Sequence, residues 1–86
     1  MAKLTPGRLF TLKQLAKRPM TGNEVSREAI REGLNNRPNG AFEWADAHLK
    51  WLRDNGYATY TGRRILGSHV HDITDLGRGR LAFGAE

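Results

Sequence analysis

Leu49-Lys50-Trp51-Leu52-Arg53-Asp54-Asn55-Gly56-Tyr57-Ala58-Thr59-Tyr60-Thr61 changes its period halfway along. Up to Asp54 the apolar residues keep helical spacing. Phe42, Ala45, Leu49 and Leu52 make one stripe, and Trp44, His48 and Trp51 an adjoining one. Asn55-Gly56 then ends the helix, because glycine suits the left-handed position just beyond a helix terminus. Tyr57 to Thr61 is short, aromatic and β-branched, which reads as a strand. His69-Val70-His71-Asp72-Ile73 reads as its returning partner, with the glycine-bounded stretch 62–67 between them. The expectation is a helix over residues 41–55 running directly into a hairpin over residues 57–73.

Working outward towards the N-terminus, Thr21-Gly22-Asn23-Glu24 fits a capping box, in which threonine and glutamate each satisfy a backbone N–H of the other's end of the turn. Met20 before it and Val25 after it are placed for a hydrophobic staple. A helix over residues 21–35 follows, with Val25, Ala29, Ile30 and Leu34 expected to face inward. Glu24, Arg27, Glu28, Arg31 and Glu32 supply a solvated face of i,i+3 and i,i+4 pairs. Further upstream, Thr5-Pro6 places an N-cap before proline at the first helical position. Leu9, Leu12, Leu15 and Ala16 recur at helical spacing until Arg18-Pro19, giving a helix over residues 5–18. Downstream, Thr74 caps a short helical tail over residues 74–83 that contains Leu76 and Leu81.

These elements fit one domain. Eighty-six residues with 38% hydrophobic content supply a single thin core, and a chain of this size buries only roughly 60% of its unfolded surface. Ten leucines and nine alanines against five valines and isoleucines tilt the chain towards helix. No cysteine is present, which removes disulfides, thiol chemistry and Cys-based zinc sites. No apolar run approaches the roughly 20 residues of a membrane span. The N-terminal residues lack the apolar stretch of a secretory signal. A soluble, cytoplasmic domain without membrane contact is expected.

The run Leu49-x-x-Leu52-x-x-x-Gly56-Tyr57 resembles the end of the recognition helix in winged helix-turn-helix proteins. Asp72-Ile73-Thr74-Asp75-Leu76-Gly77-Arg78 resembles the segment that leaves the wing in MarR- and PadR-like regulators. Thr21 to Ile30 is similar to the first helix of the helix-turn-helix. The resemblance spans about residues 5–82 and implies an α+β winged helix-turn-helix fold. That fold has a three-helix core, a two-stranded hairpin wing and a short C-terminal helix. It also implies a bacterial or phage transcriptional regulator whose partner is double-stranded DNA. The third helix would enter the major groove, where base edges carry a distinguishable code, and the wing would meet the backbone or minor groove.

On that reading the candidate DNA-binding residues are Thr21, Asn36, Arg37, Asn39, Glu43, Trp44, Ala47, His48, Lys50, Arg63 and Arg64. Arg37 and Asn39 suit guanine and adenine edges, and Arg63 and Arg64 suit phosphates. Thr21 opens a helix whose free N–H groups suit a phosphate. The net charge of +5 favours a polyanionic partner, but it is unevenly placed. Residues 1–20 carry five cations and no anion, whereas residues 36–56 sum to zero. Glu43 and Asp46 on the presumed reading helix oppose phosphates. An alternative therefore stays open: a protein-interaction module that docks through Trp44 and Trp51. A homodimer stays open as well. His48, His69 and His71 could gather at zinc, but a chance surface pair is the plainer reading of His69-x-His71. No nucleophile, acid–base pair or phosphate loop has a recognisable context. No enzymatic activity, cofactor or metal is expected.

Overall fold

The computed structural model describes residues 3–36 and 43–83, so the Phe42, Arg37 and Asn39 expectations lie outside the described residues. The architecture is α+β: helices α1 (Pro6–Lys17), α2 (Gly22–Arg31), α3 (Asp46–Asp54) and α4 (Asp75–Ala82), with strands β1 (Met20–Thr21), β2 (Ala58–Ile65) and β3 (Ser68–Ile73). The strands form an antiparallel sheet in the order β1-β3-β2.

Helices α1, α2 and α4 begin at caps legible in the chain. Thr5 caps α1 by accepting from the Arg8 amide, ahead of Pro6. At α2 the capping box is complete, with Thr21 Oγ1 accepting from the Glu24 amide and Glu24 accepting from the Thr21 amide. Arg18 pairs with Glu24 at 2.9 Å on the surface. Burial alone would raise the Glu24 pKa, but the Thr21 amide and Arg18 outweigh it and hold the carboxyl below its usual value. Met20 and Val25, the staple pair, are both buried. Thr74 caps α4 by accepting from the Gly77 amide, and its own hydroxyl donates to the Gly56 carbonyl at 2.6 Å.

Three expectations need correction. Helix α2 stops at Arg31 rather than near Asn35. Gly33 adopts a φ of 78°, and its amide donates to the Ile30 carbonyl while the Leu34 amide donates to Ala29. This is a Schellman motif, which satisfies the last carbonyls and turns the chain out of the helix. Neither Ile30, in the last turn of α2, nor Leu34, beyond it, faces inward: they are 41% and 37% exposed. Helix α3 starts at Asp46, and Glu43, Trp44 and Ala45 form a turn ahead of it. The sheet has three strands rather than two. The residue before a capped helix must be extended, so Met20 and Thr21 lie in β conformation and pair with His71 and Val70.

One core joins these elements. Leu12 and Leu15 of α1, Met20 of β1, Val25 of α2, Leu49 and Leu52 of α3, Ala58 of β2 and Ile73 of β3 all lie within it. Helix α3 leaves that core through a second Schellman motif, in which Gly56 at φ 79° donates to Arg53 and Tyr57 to Leu52. The chain passes straight into β2, as the sequence reading expected.

Candidate functional site

Around its circumference, helix α3 meets the core, α1 and solvent. Ala45, Leu49 and Leu52 point into the core. Trp44, His48 and Trp51 lie along α1. Trp44 meets Phe10 edge-on at a centroid distance of 6.2 Å and His48 at 4.7 Å, and the Arg8 guanidinium sits 4.1 Å above the Trp51 ring. A side chain on Gly7 would collide with the His48 imidazole, so the two helices touch closely there. The exposed strip that remains carries Ala47, Lys50 and Asp54. Lys50 bridges Asp54 at 2.8 Å, and exposed pairs of this kind contribute only about 0–1 kcal/mol and break easily.

The fold separates the sequence-derived candidates. Ala47, Lys50 and Glu43 are exposed on or just before α3, Asn36 is exposed after α2, and Arg63 and Arg64 are exposed on β2. Neither Arg63 nor Arg64 forms an ion pair with another described residue. Thr21 is buried, and its hydroxyl is engaged in the capping box. Any anion at that helix end would meet the amides of Gly22 and Asn23 instead. Trp44 and His48 are half-buried against α1. Arg37 and Asn39 lie outside the described residues. His48 does not join His69 and His71, which instead flank the Tyr60 ring at 4.7 and 5.0 Å. The described residues contain no group of three or more side chains suited to a metal ion.

Between α3, the start of α2 and the hairpin lies a cleft of about 280 Å³, lined by Gly22, Asn23, Asp46, Arg53, Tyr60 and His69 among others. Its organising residue is Arg53, which belongs to no motif and to no apolar stripe of the sequence. The guanidinium stacks 4.6 Å over Tyr60 and lies 2.7 Å from Nε2 of His71. An arginine can only donate, so Nε2 accepts and the ring proton sits on Nδ1, which donates to the His69 carbonyl at 3.2 Å. His71 is thereby held neutral. Burial lowers its pKa most, and the Arg53 charge lowers it further against the smaller opposing effect of the His69 carbonyl. Across the cleft, burial and then the nearby Glu43 charge raise the Asp46 pKa, while Arg53 acts against them. The cleft therefore presents a fixed cation, a helix N-terminus and a carboxylate that binds protons more readily than usual.

The hairpin carries a further device. Tyr60 pairs with His71, but the next pairing is Arg64 with His69, so β2 holds two extra residues opposite Val70. Gly62, at φ 89°, lies within this bulge. Bulges bend and twist a strand and re-aim what lies beyond them. Here they re-aim Arg64 and the turn that follows.

No protein-family model matches the sequence, and no curated protein matches it. Among solved structures, the chain is similar to a proposed transcriptional regulator from Thermoplasma acidophilum. The two share 27% identity at a TM-score of 0.72, over 93% of this chain and 75% of the other. Among the described residues, no helix is long and apolar enough to cross a membrane.

Proposed function

We propose that this chain is a winged helix-turn-helix regulator that binds duplex DNA, with α2 and α3 as the helix-turn-helix and β2–β3 as the wing. The observation that carries the reading is the division of labour on α3. The helix is fixed on its core and α1 sides, while Ala47 and Lys50 remain on a polar outer strip. The hairpin bearing Arg63 and Arg64 extends directly from its C-terminal end. The likeness to a regulator supports the same reading.

On this reading Lys50 exchanges Asp54 for a phosphate or base edge, Asn36 and Ala47 meet the groove floor, and Arg63 and Arg64 neutralise backbone phosphates. Arg53 and the Gly22 and Asn23 amides form a second positive station beside the reading helix. Thr21, Trp44 and His48 act indirectly, by capping α2 and seating α3. Glu43 and Asp46 oppose phosphates and disfavour indiscriminate binding.

A salt-titrated binding measurement on fluorescent duplexes tests the proposal. Affinity should fall linearly on a log–log plot. Replacing Arg63 and Arg64 together by alanine should reduce the slope by about 2, since each released contact accounts for about 0.9. Absence of duplex binding by micromolar protein at low salt overturns the proposal.

A further inference from the structure

The hairpin tip is built against the preference of its own turn. Ile65 pairs with Ser68, leaving Leu66 and Gly67 as a two-residue loop. Both central residues have positive φ, at 50° and 83°. Such loops favour Asn-Gly or Asp-Gly, because asparagine and aspartate tolerate the left-handed region and most side chains do not. Leucine at the first position is strained, and packing within the chain does not offset the strain, since Leu66 is 98% exposed. Beside it Ile65 is 48% exposed, and Arg63 and Arg64 precede it on the same strand, also exposed. An aliphatic side chain is thus held out at the end of a narrow ribbon, next to two guanidinium groups. The bulge at Gly62 sets the direction of this end of the ribbon.

We propose that Leu66 is a minor-groove wedge. It enters between two base pairs and partly unstacks them, while Arg63 and Arg64 hold the flanking phosphates. The inference rests on the duplex-binding reading above and adds to it a deformation of the DNA. A groove about 6 Å wide excludes a helix but admits a side chain at a tight turn. Aliphatic wedges act by opening a base step and bending the duplex. Pyrimidine–purine steps such as TA open most easily, and narrow A/T-rich grooves attract arginine. Target preference at the tip then arises from deformability rather than from hydrogen bonds to bases. An anionic bilayer would also accept a leucine beside arginines. However, one leucine and part of an isoleucine bury far fewer methylenes than a myristoyl chain, which alone anchors only marginally.

The test uses the full chain and a short duplex with a central TA step in an A/T-rich tract. The duplex carries dyes at its ends and 2-aminopurine at the step. Binding should shorten the end-to-end distance and raise the 2-aminopurine fluorescence. Leu66→Asn gives the turn the residue it prefers, so the variant should melt no lower than the wild type. It should nonetheless lose the fluorescence rise and bind on the order of tenfold more weakly, with its salt dependence unchanged. If Leu66→Asn bends and unstacks the duplex as the wild type does, or if the wild type binds without bending, the wedge is overturned while duplex binding stands. If no duplex is bound at low salt, the functional reading falls and the wedge with it. Sedimentation with equimolar phosphatidylglycerol–phosphatidylcholine vesicles that depends on Leu66, without any effect on DNA, assigns the tip to a bilayer and overturns the wedge.

Discussion

Ser26→Ala removes one oxygen and should loosen the helix proposed to read DNA. Ser26 lies on α2 and is fully buried, as is Ala45 at the start of α3. Its Oγ accepts from the Ala45 amide at 3.0 Å, a bond that spans 19 positions of sequence and ties α3 to α2. Helix α3 has no side-chain cap of its own, so this acceptor does the work of one. Losing a hydrogen bond alone costs about 0.5–1.5 kcal/mol, but a donor left unsatisfied away from water costs about 1–3 kcal/mol. With Ala45 sealed from solvent the second figure applies, and about 2 kcal/mol is expected. For a domain of this size that lowers Tm by about 8–16 °C. Thermal or urea unfolding measures the loss, and hydrogen exchange at the Ala45 amide locates it. The amide should exchange faster in the variant, ahead of the amides in the middle of α3. A loss under about 0.5 kcal/mol with unchanged Ala45 protection would refute the reasoning.

Three other perturbations have expected outcomes. Gly77→Ala puts a methyl group into the Tyr57 carbonyl and against Ile73. Because the obstacle is backbone, α4 must shift, at a cost of about 1–3 kcal/mol read by chemical denaturation; a neutral variant would show that α4 is not docked there. Thr21→Ala removes half of the capping box and should cost about 1 kcal/mol, measured by the urea midpoint, and an unchanged midpoint would contradict the role assigned to Thr21. The third concerns pH. The His71 pKa is lowered from 6.5 in the folded molecule, so the unfolded chain takes up the proton first as pH falls. The stabilisation from His71 is complete above 6.5 and is lost as the pH drops from there towards the folded pKa. The informative quantity is the difference from His71→Gln, which keeps an acceptor for Arg53. Tm should fall less steeply on acidification in His71→Gln, and equal slopes would rule out the linkage.

Much of this fold was legible because its signals are local. The Thr21–Glu24 capping box, the Thr5-Pro6 start, the Gly56 terminus and the change of period at Tyr57 each act within a few residues, and each appears where the sequence placed it. Gly33 was an equally local stop signal, but Leu34 continues the helical spacing and masked it. Strand β1 is two residues long, too short for any alternation to show. The contact of Arg53 with Tyr60 and His71 joins residues far apart in sequence, and so does the bond from Ala45 to Ser26. Nothing in the spacing of either group announces these pairings. The sequence places Trp44 and Trp51 on one stripe at helical spacing, but only the fold shows α1 as their neighbour. Their half-burial beside α1 is why Trp44 and His48 are proposed to seat the reading helix rather than to touch DNA.

The outer strip of α3 and the β2–β3 hairpin are proposed to form one surface for duplex DNA. Amide chemical-shift mapping during titration with a duplex recovered by selection from random sequences tests it most directly. Shifts should concentrate at Asn36, Ala47, Lys50, Arg63, Arg64 and Leu66, with Lys13 on α1 and Phe83 beyond α4 left unmoved. Shifts centred on Phe83 and Leu76 with α3 silent, or no selected duplex at all, would contradict it.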